Sequence, residues 1–284
     1  MASRPATLPA AIVPVIVGTA IGARESTLHP GPFLAALLAA ILIQIGTNLA
    51  NDYFDFRKGA DTVDRLGPVR VTQAGLASPS AVLVATLLTF AAAALLGVYL
   101  IFVGGWPIVA IGVASILSGL AYTGGPYPLG YHGLGDVFVF IFFGVVAVTG
   151  SAYLQSGNLS SLAVIASIPV GLLVTAILVV NNLRDVDTDR IAGKRTLAVR
   201  IGRQATRWQY VLFLALAYLT PVFLFAIGAV GGWFALPWVT IPLAIKVAQT
   251  VWTESGPVLN KALKQTGQLH LLFGILFTLS LSLP

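Results

Sequence analysis

The chain has 284 residues, of which 57% are apolar and only 9% are charged, whereas an ordinary soluble domain carries roughly 25% charged residues. This composition excludes a soluble globular protein, and the absence of cysteine excludes disulfides, iron–sulfur clusters and thiol catalysis. The formal net charge of +6 does not indicate nucleic-acid binding, because the basic residues lie at the ends of apolar stretches, where membrane proteins place them.

Apolar stretches of about 20 residues follow one another along nearly the whole chain, and each is long enough to cross the lipid bilayer. No signal-peptide cleavage site follows the first stretch, so we expect that stretch to remain in the mature protein. The sequence predicts an all-α polytopic membrane protein, a single domain over residues 1–284, with nine transmembrane helices at about 8–23, 32–54, 80–103, 106–123, 134–155, 161–183, 208–229, 233–252 and 267–283.

The distribution of Lys and Arg predicts the orientation of these spans. With the N-terminus in the cytoplasm, 14 of the 16 basic residues fall in cytoplasmic segments, while Arg24 falls on the other side and Lys246 within a span. Cytoplasmic loops of membrane proteins are enriched in Lys and Arg. We therefore expect a multi-pass protein of the cell inner (cytoplasmic) membrane whose N-terminus and loops after the second and sixth spans face the cytoplasm.

The acidic residues are concentrated in two short segments that leave the membrane on this same side. Seven of the ten carboxylates fall there: Asp52, Asp55, Asp61 and Asp64 after the second span, and Asp185, Asp187 and Asp189 after the sixth. On a helix, Asn48, Asp52 and Asp55 share one face, and so do Asn181, Asp185 and Asp189. Ordinary solvated helix ends would explain one such cluster, but two matching clusters indicate a binding site.

Stacked carboxylates repel each other, so a cation must balance them. Hard oxygen ligands without nearby His or Cys favour Mg²⁺, which commonly shares its coordination with substrate phosphates. Basic residues follow each cluster, and Arg and Lys can hold the remaining phosphate oxygens. Alternatively, these basic residues reflect the general enrichment of Lys and Arg in cytoplasmic loops and contact anionic lipids. We expect a phosphate-bearing substrate to lie beside Lys58 and Arg65 after the first cluster and Lys194 and Arg195 after the second.

Three segments carry a resemblance to a known family: NDYFDFRKGADTVDRLGPVRVTQAGL, YTGGPYPLGYHGLGD and NNLRDVDTDRIAGKRTLAVRIG. At these residues, and in its nine-span layout, the chain resembles the UbiA superfamily of intramembrane aromatic prenyltransferases. Within the superfamily it is most similar to the enzymes that prenylate 1,4-dihydroxy-2-naphthoate in menaquinone and phylloquinone synthesis. The resemblance implies a helical bundle around a central cavity, with a lateral opening for a lipid tail.

The resemblance also implies roles for the residues singled out above. Mg²⁺ and a prenyl diphosphate are expected at the two acidic motifs, with Asp52, Asp55, Asp185 and Asp189 as catalytic metal ligands. Asn48, Asn51 and Asn181 are expected to orient the acids or bind diphosphate with Lys58, Arg65, Lys194 and Arg195. Aromatic or basic residues of the glycine-rich loop are candidates for shielding a carbocation or contacting the acceptor, although interfacial aromatics commonly have no such role: Tyr122, Tyr127, Tyr131 and His132.

Two features depart from the general superfamily pattern. Asp61 comes two residues later than the third acid of the usual first motif, and we expect it to be a fifth metal ligand. Many members carry a Tyr-x-x-x-Lys sequence in the loop after the fourth span, whereas here no lysine occurs between Gly104 and Arg184. The naphthoate enzymes resemble this chain in that they also lack this lysine. The second departure therefore favours the naphthoate subfamily over other members of the superfamily.

The chemistry implied is alkylation of an electron-rich ring, with release of diphosphate and of CO₂ from the naphthoate carboxylate. Two alternatives remain from the residues. A secondary transporter would place its acids near the middle of spans, and a phospholipid headgroup transferase would carry a single compact acidic array. Another aromatic acceptor within the same superfamily is the third alternative. Prenyl chain length, chain saturation and oligomeric state are not specified by the sequence.

Overall fold

A computed structural model describes residues 4–60, 66–67 and 69–283, and this part of the chain contains helices and no strands. The all-α prediction is therefore confirmed. The α-helices are α1 (Pro9–Glu25), α2 (Pro30–Arg57), α3 (Pro79–Gly104), α4 (Trp106–Ala121), α5 (Gly135–Val139), α6 (Ala147–Ser156), α7 (Ser161–Ile191), α8 (Leu197–Ala226), α9 (Ile241–Thr253) and α10 (Leu259–Ser282). A π-helical segment, Phe140–Val146, joins α5 to α6, and a 3₁₀ segment, Gly232–Thr240, leads into α9.

Helix α7 forms the centre of the bundle. It packs against α8, α10, α1 and the π-helical segment, and its side chains Val170, Leu173, Ala176 and Val180 are completely buried. Helix α3 is the opposite case, because many of its apolar side chains, such as Leu95 and Phe102, are exposed. Exposed leucine and phenylalanine along a helix of this length fit contact with lipid chains.

Two glycines allow α1 and α6 to approach each other closely. A Cβ atom added to Gly18 would lie 2.2 Å from the carbonyl oxygen of Val148, and one added to Gly22 would lie 2.4 Å from that of Ala152. The glycines are four residues apart and so lie on one helix face. Such a small-residue interface is a common way for membrane helices to pack.

Within the described residues, seven helices are long and apolar enough to cross a membrane. Helix α4 has only 16 residues, and α10 is not among the seven because polar residues occupy its first half. Each of the nine predicted spans overlaps a helix or a continuous helical segment, but a count of nine transmembrane helices stays a prediction.

Helix α8 begins at Leu197, earlier than the span predicted at 208–229. The Thr196 hydroxyl caps this beginning by accepting a hydrogen bond from the Val199 N–H at 3.3 Å, a strong start signal for a helix. Gly202 then has φ 80° and ψ 167°, outside the helical region. A short first helical turn therefore meets a longer helix at an angle, just after the second acidic cluster.

Candidate active site

The described acids of both clusters lie on helices, as their spacing predicts. Asp52 and Asp55 occupy the last turns of α2, and each is only 2% exposed. Asp185 and Asp189 occupy the last turns of α7 and are partly buried. Buried carboxylates require compensating donors or cations. The surroundings of each cluster therefore show how its charge is balanced.

Asp52 holds the loop that follows α2. Its two carboxylate oxygens accept hydrogen bonds from the backbone N–H groups of Val71 at 3.0 Å and Thr72 at 3.2 Å. These two donors lie about 20 residues further along the chain, so the bonds fold the loop back onto the helix. The carboxylate thereby fixes the position of a basic loop over the site.

Asp55 connects three separate segments of the chain. Its Oδ2 atom accepts a hydrogen bond from Arg70 Nη2 at 2.7 Å, and its Oδ1 atom accepts one from the Tyr131 hydroxyl at 2.5 Å. Lys194 Nζ lies 3.4 Å from the same Oδ1 atom. Lys194 follows the second acidic motif, so this ion pair brings the two motifs together.

The ring of Tyr131 lies beside two lysines. Lys58 Nζ is 5.1 Å and Lys194 Nζ is 4.7 Å from the ring centroid, within the range of cation–π attraction. Lys58 also donates hydrogen bonds to the carbonyls of Thr123 at 2.7 Å and Gly125 at 3.4 Å. Partial burial lowers the pKa of the Lys58 ammonium, the nearby Asp55 charge raises it and Lys194 lowers it. The tyrosine and these carbonyls thus keep two like charges close together.

Asp185 is balanced by the residue next to it. Arg184 is 1% exposed, and its Nε and Nη2 atoms donate to the two Asp185 oxygens at 2.8 Å and 2.5 Å. The same guanidinium donates to Asn181 Oδ1 at 2.8 Å and to Asn260 Oδ1 of α10 at 2.7 Å. Asn260 in turn donates to the Leu66 carbonyl at 2.8 Å. Arg184 therefore links the second motif to α10 and to the loop after the first motif.

Asp189 differs from the other three acids. Among the residues that the structure describes, its side chain accepts no hydrogen bond, although Lys194, Asp185 and Asp55 all lie within electrostatic range. Asp187 is 68% exposed at its side chain and pairs with Arg203 at 2.6 Å. Asp189 is thus available to a ligand, while Asp187 belongs to the surface.

The amides of the first motif tie it to neighbouring segments. Asn48 Nδ2 donates to Thr7 Oγ1 at 3.0 Å, and Asn51 Oδ1 accepts a hydrogen bond from the Thr123 hydroxyl at 2.8 Å. The Arg195 side chain is exposed, but its backbone N–H donates to the Tyr131 carbonyl at 2.8 Å. These contacts give the asparagines and Arg195 positioning roles in addition to their predicted contact with diphosphate.

The remaining residues of the glycine-rich loop separate into two groups. Tyr122 lies within electrostatic range of Asp55, Asp189 and Asp136, so it borders the acidic site. Tyr127 and His132 stack on each other with ring centroids 3.6 Å apart, and His132 Nδ1 bonds to the Pro128 carbonyl at 2.8 Å. In the described part of the chain, no hydrogen bond, ion pair or ring contact links this stacked pair to the acidic residues. The pair instead stabilises its own loop.

Two predicted site residues, Asp61 and Arg65, lie outside the described residues, and their roles stay predictions. Two arginines in the site were not singled out from the sequence. Arg70 follows Asp55 by 15 positions, which is beyond the reach of helix periodicity, so its place among the basic residues after the first cluster did not identify it as the partner of Asp55. Arg184 had a signal, since it stands three residues after Asn181 and next to Asp185, but a burial of 99% was not foreseeable for a residue near a helix end.

The donor set suits Mg²⁺ in its chemistry, because it consists of carboxylate and amide oxygens. In the described residues, no three His, Cys, Asp or Glu side chains converge closely enough to form a metal site by themselves. Several of the carboxylate oxygens already accept hydrogen bonds from Arg70, Arg184 or backbone N–H groups. A magnesium ion would therefore take part of its coordination from water or phosphate, as this ion commonly does.

Comparisons with known proteins show the family to which the chain belongs. The profile of the UbiA prenyltransferase family matches residues 11–279. The 1,4-dihydroxy-2-naphthoate octaprenyltransferase of Escherichia coli is 39% identical over 99% of this chain and 93% of its own length. The enzyme of the same name from Mycobacterium tuberculosis is 39% identical over 96% of this chain and 92% of its own length.

A solved structure shows the same fold. The UbiA homolog from Archaeoglobus fulgidus, bound to GPP and Mg²⁺, has a TM-score of 0.68 and is 15% identical, covering 99% of this chain and 98% of its own. The similarity to the two named relatives extends over nearly the entire length of this chain. The family profile also covers most of this chain. This chain therefore belongs to the UbiA prenyltransferase family.

Proposed function

We propose that this protein transfers a prenyl chain from an allylic prenyl diphosphate to 1,4-dihydroxy-2-naphthoate, releasing diphosphate and CO₂ and giving demethylmenaquinone or the phylloquinone precursor. The observation that carries the proposal is near-full-length identity of 39% to two proteins named as 1,4-dihydroxy-2-naphthoate octaprenyltransferases. The clustering of Asp55, Lys194 and Tyr131 supports it, because it places anions and cations together where a diphosphate would bind.

Measuring the fate of the acceptor carboxylate tests the proposal. Purified protein in lipid is given a prenyl diphosphate and dihydroxynaphthoate labelled at the carboxyl carbon. We expect one labelled CO₂ for each prenylated product, and poor turnover of 4-hydroxybenzoate. A prenylated product that retains the label would contradict the acceptor assignment but leave a prenyltransferase of another aromatic acceptor standing.

The residues of the site have different roles in binding the prenyl diphosphate. Lys58 and Lys194 are held side by side and would bind the diphosphate together with Arg65 and Arg195. Asn48, Asn51 and Asn181 would orient the acids or the diphosphate oxygens. The positive charges stabilise the negative charge that develops on the departing diphosphate as the allylic C–O bond breaks.

Magnesium would be held by Asp52, Asp55, Asp61, Asp185 and Asp189 and would share its coordination with diphosphate oxygens. When bound, it would act as a Lewis acid on the leaving group. A solved homolog of the same fold was obtained with GPP and Mg²⁺, which supports the cofactor. Turnover of this protein should then stop when EDTA is added and return when Mg²⁺ is restored.

An apolar cavity of about 240 Å³ would receive the prenyl tail. It lies between α2, α3, α4 and the segment leading into α6, and its lining is almost entirely apolar or small. On α2 the lining runs from Ala36 to Ile43, and Ile43 lies about 14 Å along the helix from Asp52 at 1.5 Å per residue. The tail would thus run from the acids along α2, away from water that could capture a carbocation.

A substitution in this cavity tests the path of the tail. A Cβ atom at Gly112 would meet nothing within 4 Å, so Gly112→Phe fills cavity space without a backbone clash. We expect the variant to lose at least about tenfold in kcat/KM for an octaprenyl donor while keeping activity with geranyl diphosphate. Leu95→Phe on the exposed face of α3 is the matched control. Equal loss with both donors would contradict this path.

We further propose nine transmembrane spans in one domain of the cell inner membrane, with the N-terminus and both acidic motifs on the cytoplasmic side. The concentration of 14 of 16 basic residues on that side supports this orientation. Single cysteines introduced into the cysteine-free chain at residues 57–79 or 184–207 should react with an impermeant thiol reagent only from the cytoplasm. Labelling from the periplasmic side would overturn the topology.

The transporter alternative gains no support from the site. Three of the four acids, Asp52, Asp55 and Asp185, lie at helix ends and are paired with backbone N–H groups or with Arg and Lys. Asp189, which accepts no hydrogen bond from the described residues, also lies at a helix end. A path for cations needs acids that are not already balanced by fixed positive charges.

A further inference from the structure

A second buried polar group lies outside the acidic motifs. Asp136, in the first turn of α5, is 6% exposed, and its Oδ2 atom accepts a hydrogen bond from Gln209 Nε2 of α8 at 2.6 Å. This contact joins residues 73 positions apart. Neither residue belongs to the metal or diphosphate set.

Two oxygens of this pair lack donors. Asp136 Oδ1 and Gln209 Oε1 are both buried and accept no hydrogen bond from the residues that the structure describes. A buried acceptor without a partner is costly, and native proteins leave few of them. Both orphan atoms are acceptors, so the group that would satisfy them must present O–H or N–H donors.

The position of the pair relates it to the donor site. Tyr122 lies within electrostatic range of Asp136 as well as of Asp55 and Asp189. The Tyr122 hydroxyl also lies close to Gly135, where an added Cβ atom would be 2.9 Å from it. Tyr122 is therefore a common neighbour of the Asp136–Gln209 pair and of the acidic motifs.

We propose that Asp136 and Gln209 form the binding site for the phenolic hydroxyl groups of the aromatic acceptor. The two orphan oxygens would accept hydrogen bonds from ring O–H groups, which places a hydroxylated ring next to Tyr122. A hydrogen bond from a ring hydroxyl to a carboxylate also increases the electron density of that ring, as attack on an allylic carbon requires. This inference rests on the proposed function for the identity of the acceptor, whereas the two oxygens by themselves require a group with O–H or N–H donors.

The competing explanation is structural. A protonated Asp136 carboxyl could donate to Gln209, or a bound water could satisfy both oxygens. In that case the pair would join α5 to α8 and would not distinguish acceptors by their hydroxyl groups. The two explanations therefore differ in what happens when a hydroxyl is removed from the ligand.

The test measures acceptor binding without turnover. The full-length protein in nanodiscs is titrated with 1,4-dihydroxy-2-naphthoate and with the two monohydroxy analogues, 1-hydroxy-2-naphthoate and 4-hydroxy-2-naphthoate, and the shift of the thermal midpoint gives each affinity. We expect the wild type to bind the diol at least about tenfold more tightly than one of the analogues. Asp136→Asn should abolish this difference, because the atom facing the ligand becomes an N–H donor.

Two further variants keep the result interpretable. Gln209→Met removes the second orphan oxygen and should reduce the preference for the diol even if Asp136→Asn fails to fold. Asp187→Asn, at the exposed pair with Arg203, is the matched control and should bind all three ligands as the wild type does. In steady state, Asp136→Asn should raise the acceptor KM at least about tenfold and leave the donor KM unchanged.

The outcomes separate this inference from the proposed function. Unchanged preference for the diol in both variants would overturn the inference, even with normal prenyl transfer to dihydroxynaphthoate. Absence of prenyl transfer by the wild type would overturn the proposed function. The inference would still be supported if binding of the phenols depended on Asp136 and Gln209, and it would fail if binding did not.

Discussion

The two acidic motifs have nearly the same spacing on their helices but are balanced in different ways. Asp52 and Asp55 of α2 bind backbone and cationic groups from distant parts of the chain, including Lys194, which follows the other motif. Asp185 of α7 binds Arg184, the residue beside it, and Asp189 accepts no hydrogen bond within the described part of the chain. Asp52 and Asp55 are thus held by tertiary contacts, whereas Asp185 is held by a neighbour on its own helix.

This difference indicates a division of roles. Because Asp55 has three partners from three segments, its carboxylate organises the loops over the site. Because the Asp189 carboxylate accepts no hydrogen bond from the described residues while lying near Asp55, Asp185 and Lys194, its oxygens are the least occupied of the four acids and are left for a metal or ligand. Similar spacing in the sequence therefore does not imply equal contributions to folding and to catalysis.

The largest expected effect comes from replacing Asp55, the acid that organises the loops over the site. Asp55→Asn removes the carboxylate that pairs with the buried Arg70 at 2.7 Å and with the partly buried Lys194 at 3.4 Å, and breaking a buried ion pair costs about 3–5 kcal/mol of unfolding free energy. We expect a lower thermal midpoint together with a loss of turnover of at least about 100-fold. The measurements are thermal unfolding in lipid and steady-state prenyl transfer.

Asp189→Asn is the paired variant. It removes a charge without removing a hydrogen bond, so turnover should fall as far as in Asp55→Asn while the thermal midpoint stays near that of the wild type. If both variants lose stability equally, the proposed division between an organising and an available acid is wrong.

A smaller effect is expected from weakening the contacts that Arg184 makes with the second motif. Arg184→Lys keeps the charge but loses the two-pronged geometry that holds Asp185 and Asn181, and lysine does not replace arginine at such sites. We expect a loss of about 2–3 kcal/mol in unfolding free energy and a higher Mg²⁺ concentration for half-maximal turnover.

The contact with α10 provides the control for this prediction. Asn260→Ala removes one of the four hydrogen bonds from Arg184 and leaves its fork on Asp185, so its effect on the Mg²⁺ dependence should be clearly smaller. An equal shift in both variants would mean that α10, and not the fork, controls the geometry of the second motif.

The smallest effect is expected at the exposed acid of the second motif. Asp187→Asn breaks an ion pair with Arg203 in which the Asp187 side chain is 68% exposed. Such pairs contribute no more than about 1 kcal/mol, and no hydrogen bond or ion pair links Asp187 to the described residues of the first motif. Turnover within twofold of wild type, measured at saturating donor and acceptor, is the expected result, and a loss comparable with that of Asp189→Asn would place Asp187 in the site.

Much of the fold and part of the site followed from the sequence. Apolar stretches predicted the helices, because a spanning segment must bury its backbone polar groups within a helix. The i, i+4 spacing of Asn48 with Asp52 and of Asn181 with Asp185 predicted shared faces, because helix periodicity acts over a few residues. The start of α8 at Leu197 was not predicted, because Thr196 caps a polar helical turn and the prediction relied on apolar stretches.

The partners of the acids did not follow from the sequence. Arg70 reaches Asp55 through a loop, and Tyr131 and Lys194 reach it from other parts of the chain, so no periodicity connects them. The pairing of Asp136 with Gln209 likewise depends on how α5 packs against α8.

The sequence by itself determined the apolar helices, the two acidic faces and the basic segments beside them, since these are properties of short stretches of chain. Only the tertiary structure decided which cation balances which carboxylate, which acid accepts no hydrogen bond in the described residues, and where two buried oxygens lack donors. The physical reason is that the pairing of buried charges depends on distances of a few ångströms between segments whose relative positions are set by packing.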